Sequence, residues 1–229
     1  MRYLTIIFFS IITIQLSHSQ THEIGVFLGG SNFIGDVGAT TYIAPNKPAF
    51  GGIYKWNRSP RHSFRFSLIY SELEGKDSKS DDPRRQERDY NFNNHLVEAS
   101  LGLEFTFLDF DLHAEKNKAT PYLYSGITVA YHDNFFFTRQ GVYTSENTTS
   151  IAYGIPMVLG FKTNFLQSFV LAAEIGARYT FSDEIDGSVP DYDNDAPTAF
   201  GNKNNNDWYV FTGITLTYTF GKKPCYCVF

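Results

Sequence analysis

The sequence predicts an all-β protein, an eight-stranded antiparallel transmembrane β-barrel behind a cleaved signal peptide. Three observations lead there: an export leader, eight stretches with two-residue periodicity, and connections that alternate between short and long. The leader is MRYLTIIFFSIITIQLSHS, with Arg2 as a short positive region and Leu4–Leu16 as an almost wholly apolar run. That run has 13 residues, short of the roughly 20 that cross a bilayer as a helix. Ser17 and Ser19 are small residues at the positions a signal peptidase reads, so residues 1–19 are assigned as a signal peptide. Past residue 20 no apolar run approaches the length of a membrane helix.

The eight strand-like stretches are His22–Gly30, Ala49–Trp56, His62–Glu74, Phe92–Phe107, Thr120–His132, Ser150–Lys162, Phe169–Phe181 and Trp208–Phe220, and none reads as a helix. The first two carry several glycines and leave their facing open. In the third, Phe64, Phe66, Leu68 and Tyr70 oppose Ser63, Arg65, Ser67 and Ser71. In the fourth, Val97, Ala99, Leu101, Leu103 and Phe105 oppose Glu98, Ser100, Gly102 and Glu104. The sixth, seventh and eighth repeat the pattern, with Val210, Ile214, Leu216, Tyr218 and Phe220 on the apolar face of the last. Alternation of this kind gives a strand two unlike faces. Several stretches are long for globular strands and suit tilted strands crossing a bilayer.

The connections Asn57–Arg61 and Thr163–Ser168 are short. Those after the odd strands run 18 residues (Ser31–Pro48), 17 (Gly75–Asn91), 17 (Asp133–Thr149) and 26 (Ser182–Asp207) and are polar. An even strand number with short turns at one end and long loops at the other describes an outer-membrane barrel. Leu108–Ala119 is long for the short-turn side. Aromatics make up 17% of the chain, and Trp56, Tyr70, Phe107, Tyr122, Tyr131, Phe161, Tyr179, Trp208 and Phe220 fall near strand ends, as interfacial girdles require.

In this reading the apolar faces meet lipid, and Arg65, Glu98, Glu104, Lys162, Glu174 and Arg178 turn inward. A small barrel has room only for side chains, and buried charges must pair, so these six form a salt-bridged plug. The plan divides the chain into a signal peptide (1–19), a barrel (20–220) and a tail (221–229).

The formal charge of −5, with no basic cluster, argues against a nucleic-acid partner. No catalytic, cofactor-binding or metal-binding motif is present. His95 and His132 lie near the outer ends of strands four and five without a framing motif, which leaves a lipid-acting enzyme as a weak rival. Asp191, Asp193 and Asp195 have calcium-loop spacing, but Ala196 stands where Gly is needed and no Glu follows, so that acidic loop reads as a solvated surface. Lys76–Asp89 reads likewise as a hydrated loop. The only cysteines, Cys225 and Cys227, lie in the tail GKKPCYCVF. An i, i+2 disulfide is strained, so an intermolecular bond to a periplasmic partner stands beside a local bridge or free thiols.

Three segments carry a family resemblance: Glu23-Ile24-Gly25-Val26-Phe27-Leu28-Gly29-Gly30-Ser31-Asn32-Phe33-Ile34-Gly35-Asp36, Thr120-Pro121-Tyr122-Leu123, and the cysteine-bearing tail. Together the chain resembles the PorG family, outer-membrane barrels of the bacterial type IX secretion system. The resemblance implies a non-enzymatic role, in association with a periplasmic ring of PorK-like lipoprotein and PorN-like protein. It also implies support for protein export, including adhesins used in gliding. An OmpA-like structural or adhesive barrel is the alternative.

Overall fold

The computed structural model describes residues 21–112, 117–166, 168–190, 198–202 and 206–221. The expected signal peptide and both tail cysteines lie outside the described residues. Eight strands close into one barrel: β1 (Thr21–Ile34), β2 (Lys47–Asn57), β3 (His62–Lys76), β4 (Asn91–Thr106), β5 (Ala119–Phe137), β6 (Tyr143–Leu166), β7 (Phe169–Thr180) and β8 (Trp208–Phe220). Each pairs antiparallel with the next, and β8 returns to β1 in register from His22↔Phe220 to Ile34↔Trp208. Closure removes every edge along the paired length, so backbone N–H and C=O groups are satisfied where lipid offers no partner. Among the described residues no helix is long and apolar enough to cross a membrane.

The expected parity holds. Leu101, Leu103, Phe64, Phe66, Leu68, Ile151, Leu159, Ile214 and Leu216 are exposed on the outer wall, with Ile127 at 64%. The six ionic residues expected inside are all buried. Aromatic rows mark both rims. At the short-turn end Trp56 packs on Phe64 and Phe169 on Tyr218, while at the loop end Phe50 meets Tyr70 and Tyr179 meets Trp208. Two assignments are corrected. Tyr122 is no girdle residue; its even position on β5 puts it on the inner face with Thr120 and Tyr124. Val210 is buried instead of lipid-facing, between its register partners Asn32 and Ala177.

Two elements arise where polar loops were expected. The Asp133–Thr149 connection is mostly a continuation of the β5–β6 hairpin, paired up to Phe137↔Tyr143. Phe135 and Phe137 anchor it by turning into the barrel mouth, and Phe135 stacks on Tyr143 at 4.8 Å. Strands β4 and β7 leave their neighbours earlier, at Leu96↔His132 and Gly154↔Thr180, so the hairpin rises beyond them. The Gly75–Asn91 connection holds a 3-10 turn (Asp77–Lys79) and a short helix, α1 (Pro83–Arg88). Asp82 caps α1 by accepting from the Arg84 amide, and Pro83 sits in the first turn, where no N–H is needed.

The interior has two halves. Toward the short turns it is filled by charged and hydroxyl groups. Toward the loops Phe27, Ile69, Leu73, Phe92, Leu96 and Phe211 form an apolar core, joined from above by Phe33, Phe135 and Phe137. Strands approach closely in a barrel this narrow. A Cβ on Gly102, whose register partner is Gly126, would stand 2.8 Å from the Gly126 Cα.

Candidate functional site

The sequence singled out the barrel interior, and the structure brings all six of its expected residues together there. Arg65 grips Glu174 with two parallel hydrogen bonds of 2.7 and 2.8 Å, the fork geometry in which a guanidinium matches a carboxylate. Tyr122 donates to the same carboxylate at 2.5 Å. Glu104 is shared, with Lys162 Nζ at 2.7 Å, Lys55 Nζ at 2.8 Å and Arg65 Nη1 at 3.9 Å. Higher in the barrel Arg178 donates through Nε to Glu98 at 3.1 Å, while Tyr209 donates to Glu98 at 2.6 Å. The guanidinium of Arg178 also lies 4.4 Å from the centre of the Phe211 ring, and that of Arg65 4.8 Å from Tyr124. These faces add cation–π attraction in a site shielded from bulk water.

Two charged members were not anticipated. Lys55 of β2 and Glu23 of β1 are buried, and both belong to the stretches whose facing the glycines obscured. Glu23 accepts from Asn57 Nδ2 at 2.9 Å and from Thr217 Oγ1 at 2.6 Å. With them the interior holds Lys55, Arg65, Lys162 and Arg178 against Glu23, Glu98, Glu104 and Glu174, a neutral set. Neutrality is the condition for burying so many charges.

The short-turn end is closed from below. Phe110 of the 107–118 connection is buried, hydrogen-bonded by its amide to Pro60 O at 3.0 Å, and its ring lies 4.8 Å from Lys162 Nζ. An Arg61–Asp109 pair flanks it on the surface. The long turn is therefore partly a floor under the charged plug. Phe107 and Leu108 beside it remain exposed.

The loop end is closed from above. Asp186, fully buried, accepts from the Asp36 and Val37 amides, at 2.8 and 3.2 Å, and from the Ser188 amide at 3.0 Å. Arg88 binds Asp77 and the Asp36 carbonyl, both at 2.7 Å, and Arg85 donates to the Gly35 and Gly38 carbonyls. The acidic loop and Lys76–Asp89 are thus not simply hydrated, because Asp77, Asp186 and Asp207 are buried. Burial pushes Asp207 and Asp186 up from the usual carboxylate range, Asp207 well above it. Burial, with the charges of Asp186, Asp36 and Glu184 beside it, pushes Asp183 up to about 7.

The two histidines do not meet. His95 faces outward, its Nδ1 2.9 Å from the Tyr70 hydroxyl, whereas His132 is buried on the inner face of the next strand. Among the described residues no group of three or more His, Cys, Asp or Glu could hold a metal ion. Asp191, Asp193 and Asp195 lie outside the described residues.

These features define a transmembrane β-barrel of eight strands whose lumen is filled by side chains. The chain belongs to the family described as a domain of unknown function, DUF6089, whose model matches residues 1–229. No curated protein matches the sequence. Among solved structures it is similar to Ail of Yersinia pestis in complex with the heparin analogue sucrose octasulfate, with TM-score 0.48 and 11% identity over 88% of this chain and 99% of that one. A major outer membrane protein from Thermus thermophilus gives TM-score 0.46 and 11% identity over 89% and 100%. The N-terminal β-barrel domain of Pseudomonas aeruginosa OprF gives 0.42 and 13% over 89% and 100%. At these identities the barrel assignment rests on this chain's own strand pairing.

Proposed function

We propose that the protein is a non-enzymatic outer-membrane component of the type IX secretion system, bound on its periplasmic side to a ring of PorK-like and PorN-like proteins. One observation carries the scaffold part of this reading. The lumen is filled by a neutral ion network with Phe110 beneath it and a folded loop layer above. A barrel built this way offers partners its ends instead of a conduit. The link to type IX secretion rests on the resemblance of residues 23–36, 120–123 and the tail to the PorG family. Exposed Leu108, next to the floor and beyond the girdle residue Phe107, suits a periplasmic contact.

A mild-detergent pull-down of tagged protein from outer membranes, with and without reductant, tests this. Recovery of ring components is the expected result, and a larger band lost on reduction would tie Cys225 or Cys227 to a partner. Recovery of the barrel alone, with a crosslinked control also empty, would refute the scaffold. The folded loop layer favours one second reading, a structural or adhesive barrel whose function lies in its loops. Loop deletions that leave export intact but abolish surface attachment would select it.

A further inference from the structure

Segment 182–188 closes the loop end of the barrel. Ile185 is its anchor, fully buried in the apolar core with Phe33, Phe135 and Leu96. Around that anchor the segment is held by carboxylates. Asp207 Oδ2 accepts from the Ile185 amide at 3.0 Å, and Asp186 accepts from Ser188 and from the two amides of the first loop. The remaining oxygens are the unusual feature. Asp207 Oδ1 and Asp183 Oδ2 are both buried and neither has a hydrogen-bond partner. A buried carboxylate oxygen without a donor is costly when charged and tolerable when protonated.

The surrounding charges make this worse. Asp183 feels Asp186, Asp36 and Glu184, and Asp207 feels Asp186, Asp183 and Asp36. The cations packed nearby are committed elsewhere: Arg88 to Asp77 and the Asp36 carbonyl, Arg85 to the Gly35 and Gly38 carbonyls. On the β4–β5 side Asn94 donates to the Ile185 and Asp133 carbonyls, with His132 next to Asp133.

We propose that segment 182–188 is a proton-sensitive latch, held shut over the barrel mouth while Asp183 and Asp207 are protonated and loosened when they ionise. The sign follows from the raised values. A carboxyl that holds its proton more tightly in the closed form than in the open one favours the closed form at low pH. That advantage falls as pH climbs from the ordinary carboxylate range through the value near 7 of Asp183. The strands pair with one another and not with 182–188, so the segment can loosen while the barrel stays closed, and buried Ile185 opposes that release.

Amide hydrogen exchange on the full chain in phospholipid nanodiscs reads the latch directly, with protection corrected for the intrinsic rate at each pH. Protection at Ile185 and Ser188 should fall at least about tenfold between pH ~5.5 and ~8.5, a conservative figure given the partial exposure of Asp183. Amides of the strand centres should not change. The isosteric pair Asp183→Asn with Asp207→Asn should show a clearly smaller fall than the parent, the remainder belonging to buried Asp186. Unchanged protection in the parent chain overturns the proposal, as does an equal fall in the paired variant. If the pair does not fold, Asp183→Asn alone decides: its fall must be smaller than in the parent, and an equal one overturns the latch.

Discussion

Replacing Glu104 by Gln should be the most damaging single change in the barrel interior. Glu104 is fully buried and holds two ammonium groups at 2.7 and 2.8 Å. At an effective dielectric of about 20, each such contact is worth about 6 kcal/mol of Coulomb attraction, against which the desolvation of both partners must be set. Breaking a buried pair by removing one partner costs about 3–5 kcal/mol, because the surviving charge stays buried without compensation. E104Q strands two charges, Lys55 and Lys162, so the expected loss lies at or above the top of that range. Lys55→Met should cost much less, since it leaves Glu104 paired with Lys162. Adding Lys162→Met to E104Q should recover part of the loss, because one uncompensated charge is removed with it. Urea unfolding of each variant in lipid vesicles, followed by tryptophan emission, gives the free energies. A loss below about 1 kcal/mol for E104Q, or no recovery on adding Lys162→Met, would refute the idea that the network is coupled through Glu104.

Tyr209→Phe removes a 2.6 Å donor from Glu98 and should cost about 1–3 kcal/mol in the same assay. Ile185→Ala truncates a fully buried anchor; it should raise amide exchange across 182–188 by an amount equivalent to about 2–5 kcal/mol while global unfolding moves little. Ile127→Lys puts a charge on the lipid face at a position 64% exposed, at the centre of the β4–β5 pairing, and should cost about 2–4 kcal/mol. A smaller loss in vesicles than in a soluble detergent would contradict the lipid-facing assignment.

The faces of β3, β4, β6 and β7, and of β8 beyond Val210, are legible because each of these strands states its parity several times over. Leu101 and Glu104, or Ile175 and Glu174, could not exchange faces without moving every neighbour too. On β1 and β2 that redundancy fails. Gly25, Gly29, Gly30, Gly51 and Gly52 carry no side chain to mark a face, so Glu23 and Lys55 were not placed inside. A count of charge would have pointed toward them only once the other strands were fixed. Tyr122 is ambiguous for a related reason, since its position near a strand end suggests a girdle while its parity, shared with Tyr124, puts it inside.

The loops are not legible in the sequence, because polar composition does not distinguish a hydrated segment from one folded on its own hydrogen bonds. Asp36, Asp77, Asp186 and Asp207 act as acceptors for backbone amides of other connections or of more distant positions in their own. Such pairings join residues up to 166 positions apart, and no local pattern records them. Thr144 and Ser145 likewise extend β6 as the partners of Phe136 and Phe135 on β5, where Phe135 and Phe137 are buried.

The division of the lumen bears on where function can reside. A neutral charge network occupies the short-turn half and an apolar core the loop half, and both are sealed from lipid by the same wall. Replacing the ionic half with well-packed apolar residues need not weaken the barrel, since buried ion pairs seldom outperform hydrophobic isosteres. The charges are better understood through their geometry. Glu104 takes ligands from β2 and β6, Glu174 of β7 takes Arg65 of β3 and Tyr122 of β5, and Glu98 of β4 takes Arg178 of β7 and Tyr209 of β8. Each of these three carboxylates thus reaches strands that do not neighbour its own, and a strand slipped by one residue would turn its charge out into lipid. The network therefore selects one register for the closed barrel, and it leaves the two ends as the surfaces on which a partner can act.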